Sequence, residues 1–178
     1  MMLWLLGCAG CNDDTLLESG AAIAAGEWPC DDCEGACVDT YDTPTSASHV
    51  EGNVEYADEP PTSGDHNSCW ATWGVHTEPV AAENWVHNME HGGVIFLYDC
   101  PTGCDEELAQ LTAYVESLPP GRALLSPYAP SEYTFTVVSW GYRLELGCLD
   151  LPAIQAFYNQ HDGHGPEDVT AEPSSSCM

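Results

Sequence analysis

The amino-acid sequence predicts a single α+β domain: a small mixed sheet with helices packed mainly on one of its faces, preceded by a Cys/Asp-rich tether. Three observations carry this expectation. Stretches with apolar residues at helical spacing alternate with short apolar or alternating stretches, and from residue 94 onward they follow the order β-α-β-β-α. Hydrophobic residues make up 44% of the chain, with six Trp, eight Tyr and three Phe, enough apolar surface to offset chain entropy. The length of 178 residues leaves roughly one domain once the N-terminal region is set aside.

That N-terminal region divides in two. Residues 1–11 end an apolar run in small residues and cysteine, resembling a bacterial lipobox with Cys8 or Cys11 as the acylated residue. The run is too short to span a bilayer, and it lacks the basic segment that export signals carry, so the true start is expected upstream. The competing reading is an apolar N-terminal strand of a cytosolic protein. Residues 12–48 read as an acidic tether with one short helix at Thr15 to Ala25, around the cluster Cys30-x2-Cys33-x3-Cys37. That spacing suits zinc or an iron–sulfur cluster but is one thiolate short, whereas disulfides suit an exported chain and require a cysteine from elsewhere. Ten cysteines in total point the same way, to an oxidising compartment.

The folded domain is expected over 49–168, with 169–178 as a tail. From His49 to Val80 the chain is rich in turns, and Pro60-Pro61 rules out a central strand because two backbone donors are missing. This shaped loop ends in His66. Glu78 to Gly93 reads as a short helix with Pro79 near its start, acids in the first turn and Gly92 or Gly93 as its stop. Val94 to Tyr98 is a buried strand by length and β-branching. Asp105 to Leu118 carries Leu108, Leu111, Val115 and Leu118 on one side, and Pro119-Pro120 ends that helix. A short strand at Arg122 to Leu125 follows, then a long one at Thr134 to Leu146. In the long strand Phe135 and Val137 share one face, and Val138 and Leu144 share the other. Asp150 begins a last helix that buries Ile154, Phe157 and Tyr158 and stops near Gly163.

Charge excludes some functions. Asp and Glu number 29 against Arg122 and Arg143, with no Lys, for a formal net charge of -27. Such a surface repels phosphate backbones and anionic headgroups, so no nucleic-acid partner is expected, and contact with membrane is expected only through a lipid anchor. The charge serves either solubility in a salty medium or capture of cations. Nucleophile elbow, P-loop and dinucleotide fingerprints are all missing from the sequence.

The segment His87-Asn88-Met89-Glu90-His91 is the main candidate for chemistry. On a helix, His87 and His91 stand one turn apart on the same side, so two imidazoles can reach one cation. Glu90 can join as a carboxylate ligand or hold a ligand histidine in its working tautomer. Met89 lies elsewhere on the helix and is read as core. Two histidines do not complete a four-coordinate site. His66 is the first choice for a third ligand, followed by His76 and His49, and a set rich in histidine favours copper or zinc over calcium or magnesium. The same string matches the H-x-x-E-H pattern of inverted zinc peptidases, which gives the alternative of a metal-dependent hydrolase with Glu90 as general base. A third reading is a non-catalytic envelope scaffold or adhesion protein, with these histidines merely packed. His161 and His164, at the end of the last helix, are read as surface residues.

One resemblance draws these pieces together. The succession His49-Val50, Tyr56, Pro60-Pro61-Thr62-Ser63-Gly64-x-His66, Val86-His87-Asn88-x-Glu90-His91-Gly92-Gly93-Val94, Trp140-Gly141 and Gly165-Pro166-Glu167 resembles the bacterial domain-of-unknown-function 3105 family over about residues 49–167. The resemblance implies a mostly extracytoplasmic domain, often following a membrane anchor, without an established activity. That family usually carries Leu at the position of Met89, which speaks against Met89 as a ligand, and often Pro at that of Asp65, which implies that Asp65 is not essential. The expectation is therefore a cell-envelope lipoprotein that binds copper or zinc.

Overall fold

The run Val94–Tyr98 forms the strand on which the rest of the domain is assembled. Val94, Ile95, Phe96 and Leu97 are all completely buried, as a strand covered on both faces requires. The computed structural model describes residues 38–167. In chain order the elements are β1 (Val38–Tyr41), β2 (His49–Val50), β3 (His66–Asn67), β4 (Gly74–Val75), α1 (Ala82–Glu90), β5 (Val94–Tyr98), α2 (Asp105–Ser117), β6 (Ala123–Pro127), β7 (Phe135–Ser139), β8 (Tyr142–Leu146) and α3 (Leu151–His161).

The main sheet is mixed, in the order β1-β8-β7-β5-β6-β4. β5 runs parallel to β6, with α2 as the crossover, and antiparallel to β7. Alternation along the strands sends side chains into two cores. On one face Val94, Phe96, Leu125, Val137 and Leu144 meet Leu111 and Val115 of α2 and Ile154 and Phe157 of α3. On the other Ile95, Leu97, Leu124 and Val138 meet Trp85, Val86 and Met89 of α1. The fold is α+β, with α2 and α3 sharing one face and α1 on the opposite one. The Asp150 side chain accepts from the Ala153 amide at 3.0 Å and caps α3. A disulfide joins Cys100 to Cys104 ahead of α2, and Cys69 and Cys148 are also disulfide-bonded. Among the described residues no helix is long and apolar enough to cross a membrane.

Four local expectations change. The long strand expected from Thr134 to Leu146 is a hairpin: the chain reverses at Trp140-Gly141, where Gly141 has φ +78°, a conformation side chains disfavour. Pairing of Val137 with Leu144 then puts Leu144 on the same face as Phe135 and Val137, not on the face of Val138. α1 starts at Ala82, past Pro79, because the preceding segment is tied to β6: the Val80 amide donates to Ser126 Oγ at 3.0 Å. His161 is buried rather than superficial, with its ring centroid 4.2 Å from that of Tyr142 and 4.3 Å from that of Phe157. Finally, β1 lies in the stretch read as tether and pairs antiparallel with β8, so the sheet begins ahead of His49. The expected signal segment, the Cys30 cluster, the short helix at Thr15 to Ala25 and the tail lie outside the described residues.

Candidate metal centre

Three elements bring the candidate ligands together. β2 and β3 form a separate parallel pair whose register sets His49 beside His66. That pairing is extended by amide bonds from Gly64 to Ser46 O and from His66 to Ser48 O, both 3.1 Å. The loop feeding β3 is shaped by Pro60-Pro61 and held by Tyr56, whose hydroxyl donates to Asp65 O at 2.8 Å. Burial, then the nearby Glu83, Asp65 and Glu59, raises the Tyr56 phenol above its usual range, so it remains a donor. α1 packs against β3 and presents His87, Glu90 and His91 toward the same place, as helical spacing requires.

The imidazoles are oriented from behind. His66 Nδ1 donates to Gly64 O at 2.8 Å, and His87 Nδ1 donates to Asn67 O at 2.8 Å. A carbonyl only accepts, so each proton is assigned to Nδ1, which turns Nε2 toward the site. Glu90 Oε2 lies 3.0 Å from His66 Nε2, 3.5 Å from His49 Nε2 and 3.8 Å from His87 Nε2. One ligand atom from each of His49, His66, His87 and Glu90 lies within 4.8 Å of all the others. Ligands on an ideal tetrahedral ion with bonds of about 2.1 Å stand roughly 3.4 Å apart, so closing around an ion takes only small side-chain adjustments.

Burial sets the electrostatics. His66, His87 and Glu90 are nearly inaccessible, whereas the His49 side chain is 48% exposed and forms the open side. Burial pushes the His87 imidazole down to about 4. The hydrogen bond to Asn67 opposes the shift, and the neighbouring His66, His91 and His49 reinforce it. At neutral pH His87 is therefore an uncharged imidazole with its lone pair on Nε2, the form that binds metal.

Aromatic and amide side chains build the walls. Trp70 stands edge-on to His87 and His91, each at 5.1 Å between centroids, and Trp140 is perpendicular to His66 at 6.2 Å. Trp70 is positioned by α1 itself. Asn88 Oδ1 accepts from the Ala71 amide at 2.8 Å, its Nδ2 donates to Ala71 O at 3.0 Å, and Asn84 Nδ2 donates to Cys69 O at 2.7 Å. The chain after α3 folds back over the C-terminal end of α1, with Gly163 N bonded to Gly92 O at 2.8 Å and Glu167 N to Glu90 O at 3.0 Å. Gly165 sits so close that a Cβ there would lie 2.2 Å from Glu90 O.

The sequence-derived ligand set is thus redistributed. His66, His87 and Glu90 come together as anticipated, but the next histidine is His49, ranked last. His76 is elsewhere, its Nε2 bonded to Thr72 O at 2.7 Å, because β4 carries it to the far edge of the main sheet. His91 is adjacent, with Nε2 2.9 Å from His87 Nε2, yet it groups with Glu90 and Glu167. Cys8 and Cys11 lie outside the described residues. Sequence spacing gave no role to Asn67, Trp70 or Glu167. Asn88 and Trp140 were named without an assigned task.

Comparison with known proteins gives a family and nothing more specific. No curated protein and no solved structure matches the chain. The family model described as "Protein of unknown function (DUF3105)" matches residues 49–175, which take in the histidine loop, α1 and the returning Gly165-Pro166-Glu167 segment. On that match, the chain belongs to the domain-of-unknown-function 3105 family.

Proposed function

We propose that this protein is a metal-binding lipoprotein of the cell envelope, holding zinc or copper through His49, His66, His87 and Glu90. The observation that carries the reading is the convergence of three Nε2 atoms on Glu90 Oε2, with the far nitrogens of His66 and His87 committed to carbonyls. Imidazoles and one carboxylate match the preferences of borderline divalent ions. The half-exposed His49 is the side from which the ion enters, and the net charge of -27 enriches cations around it. Acylation at Cys8 or Cys11 and export to an oxidising compartment complete the proposal, in line with the cysteine content.

Glu90 is assigned to the ion as a ligand rather than to a water as a base, because its Oε2 faces all three imidazoles. Metal analysis of the full chain after loading with zinc and dialysis tests the reading. Wild type retains zinc, and the double variant His66→Ala/His87→Ala loses the tightly held ion. Equal retention by both proteins would falsify the assignment. Glu90→Gln separates the two roles of the carboxylate: a ligand loses affinity by at least tenfold, whereas a hydrolytic base keeps the metal.

A further inference from the structure

The buried side of His91 is not accounted for by the centre above. His91 is 7% exposed, and its Nδ1 is buried with no hydrogen-bond partner among the described residues. A buried polar nitrogen left unpaired costs about 1–3 kcal/mol, so it calls for an occupant of the space it faces. The Glu167 carboxylate is the group across that space, with Oε2 3.9 Å from Nδ1. That separation is too long for a hydrogen bond. It is short enough for one ion to touch both atoms, since two bonds of about 2.1 Å span up to roughly 4.2 Å. Glu90 closes the group: one ligand atom each of Glu90, His91 and Glu167 lies within 4.8 Å of the other two.

We propose that His91, Glu167 and Glu90 form a second divalent transition-metal position, with Glu90 shared between it and the His49/His66/His87 position. This rests on the metal-binding reading above and extends it from one ion to a pair. Carboxylate-bridged ion pairs stand about 3.5–4 Å apart, a spacing that one glutamate spans. His91 is placed between the two positions, with Nε2 toward His87 and Nδ1 toward Glu167. The backbone supports the arrangement. Glu167 reaches His91 only because Gly163 and Glu167 bond to the end of α1, and because Gly165 has no side chain to hold the two segments apart. The Glu167 side chain is 55% exposed, so the second ion is the more exchangeable of the two.

The experiment is a zinc titration of the oxidised full-length chain in high salt, which screens diffuse binding to the acidic surface. Wild type and Glu167→Ala are compared, because the exposed Glu167 can be truncated without opening the core. The expected result is about two zinc ions per wild-type chain and about one per Glu167→Ala chain, with the tighter ion unchanged within about threefold. One ion in both proteins, at equal affinity, overturns the second position and leaves the first intact. Two ions in both overturns the role of Glu167. No tight zinc in either protein overturns the metal-binding reading as well. A Glu167→Gln variant that also falls to one ion assigns the loss to the carboxylate charge rather than to side-chain volume.

Discussion

At the residue scale, the chemistry proposed for the centre depends on keeping the His87 imidazole neutral where carboxylates are abundant. His87 shows how this is done: burial depresses it from 6.5 to about 4 against the pull of its Asn67 hydrogen bond. A depressed folded-state value means that the unfolded chain takes up the proton more readily. The stability this residue contributes is therefore full above about pH 6.5 and is lost as pH falls toward 4. At about 1.4 kcal/mol per unit, the loss is on the order of 3 kcal/mol. In chelated protein, denaturant midpoints for wild type are expected to fall more steeply between pH 7 and 4 than those of His87→Gln. Parallel pH profiles would show that the residue is not held neutral by the fold. Helical spacing made His87, Glu90 and His91 legible as one cluster, and the proline-bounded loop marked His66. Placing His76 ahead of His49 had no local warrant, because their positions are decided by the β2–β3 register and by the edge location of β4. Neither feature leaves a local pattern in the sequence.

At the element scale, α1 connects fold and site. One side buries Trp85, Val86 and Met89 against the sheet, and its polar side carries His87, Asn88, Glu90 and His91. Its C-terminal end is closed by the segment after α3, where Gly92 at φ +79° allows the turn and Gly165 lies against the backbone of Met89, Glu90 and Gly92. Gly165→Ala is expected to destabilise the protein by about 1–3 kcal/mol, the usual cost of forcing atoms into a filled space. Urea denaturation measures it, and an unchanged midpoint would mean that the two segments part without cost. Periodicity revealed α2, α3 and β5 because each is long or uniformly apolar. The β7–β8 hairpin was hidden, since alternation runs on through Trp140-Gly141 and only the backbone of Gly141 reveals the reversal. β1 was hidden because four residues are too few to establish a period.

For the whole molecule, the formal net charge of -27 is spread over a chain of 178 residues with only two basic side chains besides histidine. Mutual repulsion among exposed carboxylates opposes the compact state and is screened by salt, the screening distance falling from about 30 Å at 0.01 M to about 3 Å at 1 M. The melting temperature of the metal-free protein is therefore expected to rise with sodium chloride over that range in a thermal scan. A flat response would mean that the acids are too widely spaced to strain the fold. Composition made the acidity readable, and the order of the periodic segments made the α+β class readable. The contact between the chain after α3 and the end of α1 was not readable, because it joins segments far apart in sequence without a shared pattern. Whether one ion sits among His49, His66, His87 and Glu90 is decided by an anomalous difference map at the zinc edge from crystals of the zinc-loaded full chain. A peak is expected about 2.1 Å from Nε2 of both His66 and His87; zinc bound elsewhere, with these imidazoles making no contact to it, would rule the site out.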